Sequence, residues 1–479
     1  MRTGTLLLVL CLCVTAQSLQ IRNVTVIDAA GARPGQTVSI TGGRIVSVLP
    51  AGRGASGGID GTGKFLIPGL WDMHVHLWET DPMQNLYVAT GVLGVRDMGS
   101  DFERTKKLRA DIISGRVIGP RIYTSGAVLD GAGSQMKQAP VLECPTPEAA
   151  RQAVDKLEKS PTDFVKLLSG LTPDAYRAAA QRARVIRMPF AGHLPEGVTA
   201  EDAIGARQRS IEHMFGIPMS CTPLENSLRE QRAEAIRKKD RAALASIRKR
   251  MYETFSPGLA NRLFHDMARY DVWQAPTLTL WQRMDLQNLD RLATAPELKY
   301  VPEAVRKTWA DPRKDAEGVK PERMAELKQE YEFHARLAKI IWGSGAGVLA
   351  GTDTGDPYVV PGFALHDELE AMVEAGIPAD EVLKLATAAP AKYFGIEATH
   401  GSVAKGKTAD LVLLDADPLQ DIRNTRRISA VVSNGRLLGR KCLDALLEGK
   451  QTGCPASAVP AAAPEKKKKA THAVPRTKR

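Results

Sequence analysis

The chain has 479 residues, of which 43% are hydrophobic and 25% charged, a composition typical of globular proteins and unlike that of disordered or collagen-like chains. Aromatic residues make up only 5%, which argues against a stacking platform for single-stranded nucleic acid. The net charge is +11, but residues 465–479 carry seven cations and one carboxylate, so the nearly balanced remainder also argues against a nucleic-acid partner.

The first 16 residues have the pattern of a signal peptide. Arg2 precedes a nine-residue apolar run, residues 6–14, and the run ends on Val14-Thr15-Ala16, which resembles a cleavage site. A membrane anchor and a buried strand are the alternatives, but the run is shorter than the roughly 20 residues of a membrane-spanning helix. No later segment is apolar enough to cross a membrane. We therefore expect an exported protein, periplasmic or secreted.

Short strands are expected next, at both ends of the folded body. They cover residues 21–28, 37–40 and 44–49 near the N-terminus, and residues 410–414 and 428–432 near the C-terminus. Asn434-Gly435 is typical of a tight hairpin turn, because both residues accept a positive φ. We expect these strands to form one small β-sandwich domain from residues 17–66 and 398–445.

Strand-like and helical patterns alternate between these two parts, which predicts parallel βαβ units. Eight strands are predicted, at residues 70–77, 92–97, 121–125, 164–168, 190–193, 210–215, 272–278 and 348–353. Eight units favour a (β/α)8 TIM barrel over residues 67–397, with an open doubly wound sheet as the alternative. Two charged helical stretches, 222–269 and 281–339, flank the seventh strand and are predicted to be insertions at the barrel mouth. The alternative is that they cover only the outer wall.

The chain ends in a tail rich in Pro, Ala and Lys, and we predict disorder for residues 446–479. A solvated tail and an electrostatic contact with an anionic envelope surface are both open interpretations. Four cysteines lie beyond the signal peptide, and an exported protein tolerates disulfides. Cys442 and Cys454 would close a short loop, whereas buried free thiols are an equal alternative for Cys144 and Cys221.

The first predicted barrel strand contains a pair of histidines two residues apart. Because side chains alternate along a strand, we expect Asp72, His74 and His76 on one face and Met73 and Val75 on the other. In a barrel, the first face would point inward. Two neutral imidazoles at this spacing can bind one metal ion, and zinc suits such ligands.

Further polar residues occupy four other predicted strands. Lys166 is expected to face inward on the fourth strand, where an ammonium group is costly unless it is paired or neutralised. His193 and His213 end the fifth and sixth strands, and Asp353 ends the eighth. Each alone has a structural interpretation, as a core histidine, a salt-bridged lysine or a turn carboxylate. Together they predict a site at the carboxyl ends of the strands.

These residues resemble the amidohydrolase superfamily, and within it the imidazolonepropionases and the exported prolidase-like peptidases. The matching segments are residues 65–76, 163–166, 191–193, 210–213, 351–354 and 406–412. The resemblance extends from about residue 20 to about residue 440. It implies an exported metal-dependent hydrolase of C–N (amide) bonds in a small molecule or short peptide.

The resemblance also implies a site with two divalent metal ions, for which zinc is the expectation. His74, His76 and Asp353 would bind one ion, and His193 and His213 the other. Lys166, carboxylated by CO2, would bridge them. A metal-bridged hydroxide would attack the substrate, with Asp353 acting as general base and then as general acid.

Substrate identity is open at this point. Arg96, Tyr123 and His366 are candidates for contacts with substrate, each with a structural role as the alternative. The alternative functions are an Xaa-Pro dipeptidase, a lactone or phosphotriester hydrolase on the same two metals, and a catalytically silent scaffold. Residues 168–173 lack the Gly-Gly loop that prolidase-like members tend to show. A homo-oligomer is compatible with the sequence.

Overall fold

The computed structural model describes residues 18–52, 57–77, 83–137, 139–451 and 453–455. The predicted signal peptide and the Lys-rich part of the predicted tail lie outside the described residues. Within these ranges, no helix combines the length and apolarity needed to cross a lipid bilayer.

The strands are numbered β1 to β18 in chain order. They are β1 (Ser18–Asp28), β2 (Gly31–Thr41), β3 (Arg44–Pro50), β4 (Ile59–Asp60), β5 (Phe65–Pro68), β6 (Leu70–Val75), β7 (Val92–Asp97), β8 (Arg121–Thr124), β9 (Val128–Asp130), β10 (Val141–Glu143), β11 (Val165–Leu167), β12 (Phe190–Gly192), β13 (Ser210–Glu212), β14 (Trp273–Ala275), β15 (Gly347–Val348), β16 (Leu411–Leu414), β17 (Ile428–Ser433) and β18 (Arg436–Gly439).

The α-helices are numbered α1 to α17. They are α1 (Gln84–Ala89), α2 (Phe102–Ile113), α3 (Pro147–Glu158), α4 (Pro173–Val185), α5 (Ala200–Ala206), α6 (Ile217–Ser220), α7 (Glu225–Lys238), α8 (Arg241–Glu253), α9 (Pro257–Tyr270), α10 (Leu278–Met284), α11 (Leu289–Ala293), α12 (Glu303–Arg306), α13 (Pro321–Gly343), α14 (Phe363–Glu374), α15 (Ala379–Leu385), α16 (Ala388–Phe394) and α17 (Arg440–Leu447). Short 3-10 helices cover Leu286–Asn288, Pro296–Tyr300, Pro312–Ala316 and Ile422–Arg426.

Strands from both ends of the chain form one eight-stranded sheet. Its order is β18-β17-β16-β5-β1-β2-β3, with β4 paired to β1. Alternate side chains of β16 face two different cores. Leu411 and Leu413 belong to an apolar core of the sheet itself, whereas Val412 and Leu414 belong to the larger core shared with the barrel. The small β-domain predicted from both termini therefore has its own core and packs against the middle of the chain.

The predicted tail is ordered at its start. Helix α17 runs past residue 446, with Leu443 and Leu446 fully buried, and Cys454 is disulfide-bonded to Cys442 on this helix. Predicted disorder over the whole of residues 446–479 is therefore wrong for the first of them. The amphipathic helix and the disulfide hold these residues against the body. Cys144 and Cys221 are free and buried.

The middle of the chain forms a parallel barrel. Strands β6, β7 and β8 make one three-stranded sheet, and β9, β11, β12, β13, β14 and β15 continue in a second one. The third barrel strand consists of two pieces, because Gly126 (φ +61°) kinks the chain so that β8 pairs with β7 and β9 pairs with β11. The barrel closes where the amide of Met73 donates to the carbonyl of Ala350 and that of Asp353 to His74.

The two charged stretches around β14 each combine an insertion with a barrel helix. Helices α9 and α13 bury apolar residues in the main core, as the outer helices of a barrel do. Helices α7 and α8 instead form a separate small apolar cluster with α6. The prediction of insertions at the barrel mouth is therefore wrong for the last helix of each stretch, because α9 and α13 complete βα units on the outer wall, which was the alternative.

Two tryptophans fill the barrel interior beneath the strand ends. Trp71 and Trp273 pack together with Met73 and Leu349 in one buried cluster. Glycine lies opposite each indole ring: a Cβ added at Gly94 would come within 2.3 Å of Trp71, and one added at Gly347 within 2.3 Å of Trp273. The two glycines thus make room for the aromatic floor.

We expect Gly94→Ala to overpack this floor and lower the free energy of unfolding by about 1–3 kcal/mol. Equilibrium urea unfolding measures the change. Gly205→Ala is the control, since Gly205 is helical with open space at its Cβ position, and it should be neutral or stabilise by up to about 1 kcal/mol. Equal stability of Gly94→Ala and the parent would contradict the packing described.

Candidate metal centre

Two strand ends place three imidazoles around a carboxylate at the end of a third strand. The Nε2 atoms of His74 and His76 lie 3.1 and 3.3 Å from Oδ1 of Asp353, and Nε2 of His213 lies 4.0 Å from Oδ2. Possible ligand atoms of His74, His76 and Asp353 all lie within 4.8 Å of one another. The Asp353 side chain is only 13% exposed. This buried group could hold a metal ion.

His193 and Lys166 extend the cluster on the side of His213. The rings of His193 and His213 are 5.1 Å apart between centroids, and those of His74 and His213 are 4.5 Å apart. Lys166 is buried on β11, and its Nζ has no hydrogen-bond partner among the described residues. Burial lowers the pKa of Lys166 to about 8, although Glu212 and Asp353 act in the opposite direction. The structure thus brings together the polar residues predicted at five strand ends.

Each of the four imidazoles is held through its Nδ1 atom. The partners are Glu212 Oε2 for His74 (2.8 Å), the Gly99 carbonyl for His76 (2.9 Å), Ser169 Oγ for His193 (3.0 Å) and Thr277 Oγ1 for His213 (2.8 Å). Such outer contacts fix the ring orientation and tautomer of metal-binding histidines. Burial also lowers the pKa of His213 to about 3, so its ring is neutral, the form that binds metals.

Asp353 remains ionised in this setting. Burial alone would raise the pKa of Asp353, but the nearby rings of His74, His213 and His76 hold it well below its usual range. The centre therefore presents a negative charge surrounded by imidazole nitrogens, which is the electrostatic arrangement that a divalent cation requires.

Glu212 is a site residue to which the sequence analysis gave no role. Its carboxylate is fully buried and accepts hydrogen bonds from His74 Nδ1, Arg96 (2.7 Å) and Ser210 Oγ (2.5 Å). Burial alone would raise the pKa of Glu212, but the Arg96 guanidinium and the contact with His74 hold it well below its usual range. The sequence signal that could have identified Glu212 is a carboxylate within an otherwise apolar strand, directly before the predicted ligand His213.

Irregular backbone at the strand ends directs these side chains toward the site. His213, Met214, Thr277 and Asp353 all have positive φ values, from +50° to +64°. Conformations of this kind cost about 1–3 kcal/mol each in non-glycine residues and cluster at functional sites. Without its left-handed backbone, His213 would follow the strand alternation and lie on the opposite face from Glu212.

A bulge in β6 overturns one expectation. Asp72 does not share a face with His74 and His76, because the pairing of β6 with β7 shifts by one residue between Asp72 and Val75. The Asp72 carboxylate accepts hydrogen bonds from the backbone and hydroxyl of Thr352, and burial raises the pKa of Asp72 to about 8. Asp72 lies within electrostatic reach of Tyr87 and Glu368, which both belong to outer helices. Met73 instead packs inside the barrel.

The three predicted substrate contacts make other contacts within the protein. Arg96 is fully buried in its ion pair with Glu212 and also donates to the Met73 carbonyl, Ser210 and Tyr393. Tyr123 stacks on Phe394 at 3.9 Å and lies beside Trp71. Both ring nitrogens of His366 are hydrogen-bonded, to Thr425 and to the Thr90 carbonyl. These contacts favour structural roles, which the sequence analysis had held as the alternative.

An aromatic wall adjoins the centre, consisting of Phe215, Trp281 and His334. The half-buried Phe215 ring lies 4.8 Å from His213 and 5.2 Å from His193 between centroids. Trp281 packs against Phe215 and stacks on His334 at 3.5 Å. The wall gives one side of the centre an apolar surface, which limits the access of water.

Comparisons with known proteins agree with this architecture. A family model described as "Amidohydrolase family" matches residues 333–438, a segment that contains Asp353. A dihydroorotase of Thermus aquaticus is 49% identical over 59 residues, which is 12% of this chain and 13% of that enzyme. The chain therefore carries a segment of the amidohydrolase family around Asp353.

The fold of the chain is shared over nearly its full length with solved structures. A bottromycin amidohydrolase superposes with a TM-score of 0.71 at 21% identity, covering 94% of this chain and 93% of the other. A Xaa-Pro dipeptidase with bound methionine in its active site has a TM-score of 0.62 at 20% identity, with 88% and 100% covered. At these identities the similarity concerns the fold.

The role of Glu212 can be tested by metal affinity. Glu212→Gln keeps the side-chain volume but removes the charge that orients His74, so we expect metal affinity to fall about 10–100-fold. Competition with a chromophoric chelator measures it on protein shown to be folded by circular dichroism. Glu330→Gln is the control, because Glu330 is a buried carboxylate paired with Arg248 and Arg323 instead. Affinity within twofold of the parent would contradict the assigned role.

Proposed function

We propose that the enzyme hydrolyses a C–N (amide) bond in a small molecule or short peptide, with divalent metal ions bound at the cluster around Asp353. The observation that carries this proposal is the convergence of three imidazoles on the Asp353 carboxylate, with a fourth imidazole and a buried lysine beside them. Each of the four imidazoles is anchored through Nδ1. A purely structural cluster has no need for so many oriented and poorly satisfied polar groups.

The residues present fit metal ions. Nε2 of His74 is buried and has no hydrogen-bond partner among the described residues, although it faces Asp353. Imidazole nitrogens together with a carboxylate are a typical zinc donor set. His74, His76 and Asp353 would hold one ion, and His193, His213 and Lys166 a second. When bound, such ions polarise a carbonyl and lower the pKa of water into the neutral range.

Lys166 is proposed to act as a carbamate. Its Nζ is buried, and its pKa, lowered to about 8, increases the fraction of neutral amine near neutral pH, which is the form that attacks CO2. The step forms a bond between Nζ of the neutral amine and the carbon of CO2 and releases one proton, so a neutral side chain becomes an anionic oxygen donor. This conversion would relieve the cost of a buried ammonium group without a hydrogen-bond partner.

Asp353 is proposed to carry the proton. Its carboxylate is ionised and held by His74 and His76, so it can accept a proton from the attacking water. The same oxygen can then return the proton to the departing nitrogen, since an amide nitrogen must be protonated before it leaves as an amine. The aromatic wall would keep bulk water away from this transfer.

Export remains part of the proposal. It rests on the signal-peptide pattern of residues 1–16, and the disulfide between Cys442 and Cys454 supports it, because disulfides persist in oxidising compartments.

His76→Ala removes one proposed ligand. We expect the variant to fold but its turnover to fall by more than about 100-fold. This loss exceeds the roughly 10–100-fold expected for a residue that only orients a metal ligand. Elemental analysis of the parent should find about two zinc-like ions per chain. His265→Ala, on the exposed face of α9, is the control and should retain both metal and activity. A parent protein without bound transition metal, or a fully active His76→Ala variant, would contradict the proposal.

Lys166→Ala tests the carbamate. The variant should lose activity and regain part of it with added formate or acetate, because a small carboxylate can replace the missing anion. Under 13C-labelled CO2, NMR should show a carbamate signal in the parent that is absent in Lys166→Ala and present in the exposed control Lys339→Ala. An unchanged spectrum after the Lys166 substitution would refute carboxylation.

A further inference from the structure

The loop after β11 contains the segment that lacks a Gly-Gly pair, and one of its side chains reaches the proposed metal centre. The hydroxyl of Ser169 lies 3.0 Å from Nδ1 of His193. Because Nδ1 is engaged there, Nε2 of His193 is the ring nitrogen left for a metal ion, on a ring whose centroid is 5.1 Å from that of His213. The position of Ser169 therefore determines how His193 is presented to the ion.

The backbone on both sides of Ser169 is held by β9, the neighbouring barrel strand. The amide of Leu168 donates to the carbonyl of Leu129 at 2.9 Å, and the amide of Gly170 donates to Oδ1 of Asp130 at 2.9 Å. Leu129 and Asp130 are the last two residues of β9. Ser169 thus lies between two amides that are bound to one strand, and the second of these amides depends on a side chain.

Asp130 is buried, with 8% of the residue exposed, and is fixed on both of its carboxylate oxygens. Oδ1 also accepts from the amide of Gly131 at 2.9 Å, and Oδ2 accepts from the hydroxyl of Ser134 at 2.6 Å. One carboxylate therefore joins the loop after β9 to the loop after β11. Hydrogen bonds from backbone amides to an ionised acceptor are stronger than those between neutral groups, so the junction is a firm one.

Two glycines lie where these loops touch. A Cβ added at Gly131 would overlap the carbonyl oxygen of Gly170, and a Cβ added at Gly170 would come within 2.5 Å of Oδ1 of Asp130. A side chain at either position would push the loops apart. Glycine at both positions is what allows the Asp130 carboxylate to reach the second loop.

We propose that Asp130 is a positioning residue, which fixes the loop after β11 so that Ser169 holds His193 in the orientation that binds the second metal ion. The inference rests on the proposed function, because it concerns the affinity of that same centre for one of its ions. The proposed ligands of the first ion lie on β6 and after β15, on other strand ends. The effect of Asp130 is therefore confined to the second ion.

The test is the stepwise removal of zinc from the loaded full-length protein by a chromophoric chelator. We expect the parent to release two ions. Asp130→Ala should hold the first ion as the parent does and the second about 10–100-fold more weakly, the range known for residues that orient a metal ligand. Asp130→Asn keeps an oxygen acceptor for the Gly170 amide and should stay within about threefold of the parent.

A second set of variants tests the route through Ser169. Ser169→Ala should weaken the second ion by a similar factor, and adding Asp130→Ala to it should cause little further loss, because both changes remove the same contact. Two unrelated defects would multiply instead. Gly170→Ala serves in case Asp130→Ala folds poorly: it keeps the carboxylate but separates it from the loop, so it should also weaken only the second ion.

Asp28→Ala is the matched control. Asp28 is also 8% exposed and also accepts from two backbone amides, those of Ala30 and Val403 at 2.9 Å each, but it lies in the small β-domain. This variant should lower the free energy of unfolding in urea and leave the affinity for both ions within about twofold of the parent, since it touches no residue that orients a metal ligand. It separates a general loss of stability from a loss of positioning.

The outcomes separate the inference from the function on which it rests. Selective weakening of the second ion in Asp130→Ala, absent in Asp28→Ala, supports the inference. Equal weakening of both ions, an unchanged second ion, a full additional loss in the double variant or a parent with fewer than two ions overturns it. Hydrolysis of a panel of dipeptides and cyclic amides is measured alongside. Hydrolysis in any of the overturning cases leaves the hydrolase proposal standing, and selective weakening without hydrolysis counts against the hydrolase alone.

Discussion

The rest of the centre depends on the hydrogen bonds that the buried carboxylate of Glu212 accepts. It joins three barrel strands, because Glu212 on β13 accepts from Arg96 on β7 and from His74 on β6. Removing one partner from a fully buried pair leaves an uncompensated charge and costs about 3–5 kcal/mol. The three strands are therefore held in one register, and that register determines where the Nε2 of His74 points.

The fold tolerates strained backbone at the strand ends because the barrel beneath them is well packed. His213, Thr277 and Asp353, which have positive φ values, lie at the strand ends directly above an interior filled by Trp71 and Trp273. Strain of this kind persists only where the surroundings determine the conformation. The aromatic floor and the glycines opposite it supply a rigid base, so the ligand side chains can be aimed by backbone geometry rather than by flexible loops.

Strand alternation accounts for what could be predicted from the sequence and for what could not. His76, Lys166 and Asp353 were recognised because polar groups at the ends of buried strands are rare unless they have a function. Asp72 was misplaced because a bulge adds one residue to β6 and reverses the face of everything before it. Bulges arise from three-dimensional pairing, which a single strand's pattern does not contain.

The charge balance of the centre supports the proposed binding of divalent cations. Arg96 neutralises Glu212, and burial keeps the ring of His213 neutral, so Asp353 is left with a negative charge that imidazoles alone do not offset. A neutral Lys166 adds no charge to this sum, and a carbamate adds a second negative one. If Lys166 is carboxylated as we propose, the site becomes more anionic and gains affinity for divalent cations in the same step. Carboxylation and metal binding should therefore be thermodynamically coupled, each favouring the other.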